Sequence, residues 1–140
     1  MAEENALDQV HPSIRPMLQT LGFVRYVELD EEKRRAVVEF EVRPDHCHSG
    51  DVAQGGFVTG WIDNAMATAA MIGGEGRVAM SLDVKVSFFR AANPGRVFAE
   101  GWVEHGGGRT VFAEGLLRTP EGVKIAKATS TIALLPPRKA

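Results

Sequence analysis

Residues 52–74 read VAQGGFVTGWIDNAMATAAMIGG, a mostly apolar stretch in which Asp63 is the one formal charge. Phe57, Val58, Trp61, Ile62, Ala65, Met66, Ala69 and Ile72 recur at helical spacing, and Gly73-Gly74 supplies a stop. This spacing predicts a helix, the only long one in the chain. At about 100° per residue, Asp63 falls off that stripe and shares its side with Gly56, Gly60, Ala67 and Ala70. A row of such small residues lets another backbone, a partner helix or a thin ligand approach closely. A solvated helix face, the plainer reading of this side, normally carries Lys, Glu and Arg. None is present, so Asp63 is expected to be covered, and a covered carboxylate without an obvious cation is a candidate functional group.

On either side of this helix the hydrophobic period is two. Ala36, Val38, Phe40 and Val42 alternate with Val37, Glu39 and Glu41, and residues 23–29 form the partner strand of a hairpin turning at Asp30-Glu31-Glu32-Lys33. Over residues 81–88, Leu82, Val84, Val86 and Phe88 take one face and Ser81, Asp83, Lys85 and Ser87 the other. Strands are also expected over 97–104, 110–117 and 123–134, separated by Asn93-Pro94-Gly95, Gly106-Gly107-Gly108 and Pro120-Glu121-Gly122. Short turns between successive strands imply an antiparallel meander. Upstream, residues 11–20 form a short helix broken by Pro12 and Pro16 and stopping at Gly22.

The chain has 140 residues, 44% of them apolar, enough for one domain with a sizeable core. Residues 1–10 read as a flexible arm and 136–140 as a tail. A net charge of −2 and the absence of Lys/Arg clusters interleaved with aromatics argue against a nucleic-acid partner. The N-terminus MAEENALDQV is acidic where a signal peptide is basic and then apolar. No uncharged apolar run reaches the roughly 18 residues needed to span a bilayer. The single Cys47 cannot form an internal disulfide. A cytoplasmic location and no membrane partner are therefore expected.

The run HSGDVAQGGFVTGWIDNAMATAA, from His48 onward, resembles the signature of hot-dog-fold acyl-CoA thioesterases of the phenylacetate-pathway and 4-hydroxybenzoyl-CoA type. In that family an amide residue is followed six positions later by His-Gly-Gly, and nine residues after that His by a helical Asp or Glu. Here the glycines are Gly55 and Gly56 and the acid is Asp63. The likeness continues through MSLDVKVSFFRAANPG, where Ser81 matches a Ser or Thr that assists the acid in some members, through the GGGR turn at Arg109, and into EGVKIAKATSTI. It extends over about residues 23–132. Gln54 stands where the family has His, and His48 where it has Asn or Gln. The resemblance implies an α+β hot-dog fold, an antiparallel sheet of five to six strands wrapped around one long central helix. It also implies hydrolysis of a small or medium-chain acyl-CoA, aliphatic or aromatic, in a homodimer or a dimer of dimers (a homotetramer) with shared active sites.

The chemistry of that reaction can be placed on the residues. Thioester hydrolysis needs an activated water or a nucleophile, and donors aimed at the carbonyl oxygen where negative charge develops. Gly55 at a helix start supplies an unpaired N–H and the positive end of the helix dipole. Asp63 lies about 12 Å further along the same helix at 1.5 Å per residue, too far to serve the same reacting atom. Pairing two subunits, as the resemblance implies, brings the acid of one chain to the helix start of the other. Asp63 is then general base or nucleophile, assisted by Ser81, and His48 holds the thioester or the water, since a neutral imidazole donates one hydrogen bond and accepts another. Gln54, Gly56, Arg90 and Arg109 are candidate substrate contacts, the arginines toward CoA phosphates, with Lys85 a similar candidate. Trp61 and Phe89 are candidates for the pocket floor.

No metal or cofactor is expected: Asp45-His46-Cys47-His48 holds ligand types, but no second cluster at zinc spacing follows. Cys47 reads as a loop thiol, and Gly106-Gly107-Gly108-Arg109 as a hairpin turn rather than a phosphate loop, since a strand follows it. Two other functions remain open on sequence alone. A hot-dog hydratase or dehydratase acting on an enoyl- or hydroxyacyl-thioester would use a loop His such as His48. A non-catalytic acyl-CoA-binding module would keep the pocket but has no use for Asp63.

Overall fold

The computed structural model describes Leu7 and residues 10–137. Of the arm expected over 1–10, only Leu7 and Val10 fall among these, and Val10 is buried in the core; residues 138–140 of the expected tail lie outside them. The first helix, α1 (Arg15–Leu21), has Pro16 in its opening turn and ends at Gly22, whose φ of 77° is left-handed. Pro16 starts this helix instead of breaking it, because a first-turn N–H has no intrahelical partner to lose.

Strands β1 (Phe23–Asp30) and β2 (Arg35–Val42) form the expected hairpin. A single 3-10 turn, Pro44–His46, leads to a ribbon of two short strands, β3 (Cys47–His48) and β4 (Val52–Ala53). The long helix α2 (Gly55–Ile72) follows, and then β5 (Val78–Phe88), β6 (Gly95–Gly107), β7 (Thr110–Arg118) and β8 (Lys124–Leu135). The six long strands make one antiparallel sheet in the order β1-β2-β6-β7-β8-β5. Only β6, β7 and β8 are a meander. After α2 the chain enters the sheet at the far edge, so β5 pairs with β8, while β2 pairs with β6 across the gap that a strict meander would have filled with β5.

The sheet closes around α2. Val58, Trp61, Ile62, Ala65, Met66 and Ala69 are buried, as the helical spacing predicts, and they pack against inward residues of the sheet such as Val38, Phe40, Ala99, Val111 and Ile132. Burying each large side chain contributes about 1.5–3 kcal/mol. Ala70, assigned above to the small-residue row, is fully buried in this core instead. The closest approach between the layers is made by the sheet. A Cβ on Gly101 would lie 2.4 Å from the carbonyl carbon of Ala65, and one on Gly115 would lie 2.8 Å from Ile62. Gly60, by contrast, would meet only Leu21, at 3.4 Å. Gly60 therefore has nothing packed tightly against it within this chain.

Strand β5 departs from simple alternation. Its pairing with β8 goes from Ser81↔Ile132 to Asp83↔Thr131, so Leu82 is an extra residue in a β-bulge. Before the bulge Ala79 and Ser81 share the helix side; after it Val84, Val86 and Phe88 do, opposite the inward Ser130, Ala128 and Ala126 of β8. The expectation that Ser81 lies on the face of Asp83, Lys85 and Ser87 is thus corrected, because one inserted residue inverts the parity.

Arginine–carboxylate pairs cover the outer face. Glu39 pairs with Arg25 and Arg96, and Glu100 with Arg35 and Arg118, whose guanidiniums also lie over Trp102 and Phe98 respectively. Burial pushes the Glu100 carboxyl up, but the hydrogen bonds and charges of Arg118 and Arg35 outweigh it and hold the group below the usual carboxylate range. With the folded value below the unfolded one, this contribution is complete above the ordinary carboxylate range and is lost as pH falls through the folded value. Glu100→Gln is expected to cost about 1–3 kcal/mol near neutral pH, with the difference from wild type shrinking in acid. Urea unfolding at a series of pH values measures it; a constant difference down to pH 3 would contradict the assignment.

Candidate active site

Helix α2 begins where the β3–β4 ribbon ends. Gln54 is its N-cap, with a side-chain oxygen that accepts from Gly56 N–H at 2.7 Å, and its own N–H donates to the carbonyl of His46 at 3.0 Å. Gln54 and Gly56, both expected to meet substrate, are engaged with each other. Because that cap takes the second amide of the helix, the first is left over: Gly55 N–H has no acceptor among the described residues. It opens into a cavity of about 380 Å³ walled by Val58, Phe88, Phe89, Arg90 and Ala92. Phe88 is the close neighbour, its ring edge 3.3 Å from where a Cβ on Gly55 would sit. An unpaired donor at the positive end of a helix, in an apolar cavity, can stabilise an oxyanion.

Asp63 stands two turns along α2, half-buried, where its Oδ1 accepts a 2.6 Å hydrogen bond from the Ser81 hydroxyl. The bulge at Leu82 makes this contact possible by turning Ser81 toward the helix. Asp63 and Ser81 are therefore brought together as expected, whereas Asp63 and Gly55 are eight residues apart on one rigid helix. Strand β5 runs beside α2 in the opposite direction, with Ser81 at the acid end and Phe88 at the amide end. It is also an edge of the sheet, and Met80, Leu82, Phe88 and the following Phe89 are exposed.

His48 lies on the exposed ribbon with Nδ1 3.1 Å from the Ser49 hydroxyl, next to a turn in which Ser49 and Gly50 both have positive φ. Arg90 lines the helix-start cavity, and Arg109 occupies the turn between β6 and β7 at the opposite end of the sheet from it. Trp61 is wholly buried, donating to the Leu21 carbonyl at 2.7 Å, so it belongs to the core and not to a pocket floor. Phe88, which sequence reading left as one more strand residue, walls the cavity in its place beside Phe89. Its signal was the apolar alternation continuing to the very end of β5.

The Asp45-His46-Cys47-His48 run is resolved into separate roles. His46 is buried, its Nδ1 accepting from Arg43 N–H at 2.9 Å and its Nε2 donating to the Thr20 carbonyl at 2.7 Å, so neither nitrogen is left for a ligand. Its ring packs against Phe57 and Trp61, which ties the ribbon to the start of α2. Burial and the carboxylates of Asp51 and Asp45 push the Cys47 thiol up, away from the thiolate a nucleophile requires.

A curved antiparallel sheet around one long helix, with an open amide at the helix start and a carboxylate on its flank, defines the hot-dog class. The chain belongs to the thioesterase superfamily, whose family model matches residues 50–126. Among solved structures it is similar to a variant of the phenylacetic acid degradation protein PaaI from Thermus thermophilus, with 30% identity over 86% of this chain and 99% of that one and a TM-score of 0.74. The PaaI protein of the E. coli phenylacetic acid degradation operon shares the fold at 18% identity, covering 98% of both chains with a TM-score of 0.80. A conserved Pseudomonas aeruginosa protein does so at 24% identity, over 96% of this chain and 100% of that one, with a TM-score of 0.77. No curated protein matches the sequence. Among the described residues, no helix is long and apolar enough to cross a membrane.

Proposed function

We propose that the protein hydrolyses a small or medium-chain acyl-CoA to the free acid and CoA at a site shared between two subunits. The observation that carries this reading is the separation of two half-sites along one edge. The free Gly55 N–H and its apolar cavity lie at one end of β5, and the Asp63–Ser81 pair at the other. Two β5 edges pairing antiparallel about a two-fold axis near Val84 would set the acid end of each chain against the amide end of its partner. That register places Lys85 opposite the partner subunit's Asp83, which is charge-complementary, and covers the apolar side chains exposed along β5.

In the shared site the thioester carbonyl accepts from Gly55 N–H and the acyl group enters the cavity beside Phe88. Water activated by Asp63, or Asp63 itself, adds to the carbonyl carbon. The oxygen takes up negative charge in front of the helix start and the C–S bond breaks. In the water route CoA leaves as the thiol with the proton Asp63 took from water. In the nucleophile route CoA thiolate leaves an acyl-Asp63 anhydride that a water then hydrolyses to the free acid, its proton going to the thiolate. Ser81 holds the carboxylate, Gln54 keeps Gly56 N–H occupied, and His48 contacts the thioester or the water through its outer nitrogen. Arg90 at the cavity rim meets the CoA side of the substrate. A panel of acyl-CoA esters followed by free-thiol release tests the reaction, with crotonyl-CoA hydration run alongside. Thiol release without hydration is expected; hydration alone, or binding without turnover, would overturn it.

Mixed dimers test the sharing. His48→Ala and Asp63→Asn each damage both sites of their own homodimers, whereas a mixed dimer collects both lesions in one site and leaves the other intact. With random exchange about half the dimers are mixed, so co-refolding the two variants should restore activity toward about a quarter of wild type. No recovery, with mixed dimers confirmed and both parents defective, would place the site within one chain.

A further inference from the structure

The first turn of α2 carries the open amide yet has little with which to hold itself in place. Gln54 and Gly56 are exposed, and Gly55 and Gly56 have no side chains to pack. What holds this turn comes from α1. The last turn of a helix leaves carbonyls short of donors, and three of those in α1 are taken from outside it. Arg43 Nη1 donates to the Gln19 carbonyl at 3.1 Å, His46 Nε2 to the Thr20 carbonyl at 2.7 Å and Trp61 Nε1 to the Leu21 carbonyl at 2.7 Å. His46 carries this anchorage on to the helix start. Its own carbonyl accepts from Gln54 N–H at 3.0 Å, and the Gln54 side chain occupies Gly56 N–H, which leaves Gly55 N–H as the open donor. The imidazole is fixed on every side. Its Nδ1 accepts from Arg43 N–H at 2.9 Å, its ring centroid lies 4.7 Å from that of Phe57 and 5.4 Å from that of Trp61, and its Cε1 edge comes 3.3 Å from where a Cβ on Gly22 would sit.

We infer that His46 is a positioning residue of the candidate site, fixing the Gly55 amide in space by coupling the end of α1 to the first turn of α2. The inference rests on the acyl-CoA reading, to which it adds the group that keeps the oxyanion donor still. A rigid ring with an acceptor at one nitrogen and a donor at the other joins two backbone groups that a flexible side chain would hold loosely. The Gly55 N–H helps only if it is already in place when charge develops on the carbonyl oxygen. Loosening it therefore lowers kcat, while the acyl cavity and substrate binding are left nearly as they were.

His46→Phe keeps a ring against Phe57 and Trp61 and removes both nitrogens, and His46→Gln keeps a donor for the Thr20 carbonyl. Free-thiol release from an acyl-CoA gives kcat and KM, and nitrogen-15 relaxation gives the order of each backbone N–H. In His46→Phe, kcat is expected to fall about tenfold with KM within about twofold of wild type. The order parameters of Gly55 and Gly56 should drop from about 0.85 toward about 0.6, while those of Ala65 and Met66 stay at the wild-type value. His46→Gln should recover part of both losses. If His46→Phe does not fold, His46→Gln decides by the same readouts, with a loss of about threefold expected in kcat. A fall in order along the whole of α2, with kcat and KM changing together, would make His46 a folding residue and overturn the assignment. Selective loosening of Gly55 and Gly56 in a protein that releases no thiol from any acyl-CoA would uphold the brace and reject the thioesterase reading. Thiol release at equal kcat by wild type and a folded His46→Phe protein would reject the brace and leave that reading intact.

Discussion

Replacing Asp63 with Asn is expected to lower kcat for thioester hydrolysis by roughly three or more powers of ten while leaving the protein folded and assembled. The amide keeps the size of the carboxylate, and its oxygen can still accept the Ser81 hydrogen bond, so the helix flank is undisturbed. What disappears is the group that, in the proposed reaction, attacks the carbonyl carbon or takes the proton from water. Ser81→Ala removes only the hydroxyl that steadies this oxygen and should cost much less. Free-thiol release under single-turnover conditions, with circular dichroism and sedimentation as controls for fold and assembly, separates the two. Wild-type-like turnover by a well-folded Asp63→Asn protein would remove Asp63 from the chemistry.

The second large effect is structural. Gly101→Ala adds one methyl group where β6 presses against α2, 2.4 Å from the carbonyl carbon of Ala65 and 2.5 Å from the amide nitrogen of Met66. Those atoms are helix backbone, which cannot rotate aside as a side chain could. Overpacking typically costs about 1–3 kcal/mol, and here we expect a loss at or above the top of that range, read as a lower urea midpoint. Gly107→Ala on the same strand meets nothing within 4 Å and serves as the control. Activity should fall with stability in Gly101→Ala, since Asp63 is two residues from the displaced turn. A midpoint equal to wild type would mean that the sheet can yield at Gly101.

The helix was legible because its signals agree: a stripe at helical spacing, a stop at Gly73-Gly74 and a lone acid off the stripe. The β1–β2 hairpin and the β6–β7–β8 meander were legible for the same reason, local alternation with turn residues between. Strand order was not, because nothing local marks that β5 crosses to the far edge; that choice follows from how a single helix fills a curved sheet. The small-residue row was read as a surface of close approach, and within this chain the sheet makes the closest approach to the helix elsewhere. Tight packing against the helix is made by Gly101 and Gly115 of the sheet, and strand glycines look no different in sequence whether they face a helix or solvent. Of the candidate site, Asp63, Ser81 and Gly55 were singled out from the motif, and the structure puts the first two in contact. The reach of Gln54 back to Gly56 N–H was not legible because it depends on cap geometry, and Phe88 was passed over because its nearness to Gly55 depends on the antiparallel course of β5 beside α2.

The bulge at Leu82 also constrains which changes in chain length β5 can absorb. Edge strands ordinarily tolerate gain or loss of a residue because few bonds cross them. Here the extra residue lets Ser81 and the Val84-Val86-Phe88 series face the same way despite their opposite parity. Deleting Leu82 would regularise the ladder with both still facing the helix, whereas drawing Leu82 into regular pairing at unchanged length would turn either the serine or the three apolar residues outward. One choice strands Asp63 without its hydroxyl, and the other opens the cavity wall at Gly55. The two halves of this strand are thus free to vary by substitution but not in relative facing, and a related chain without the bulge would have to carry its hydroxyl one position nearer to the cavity aromatic.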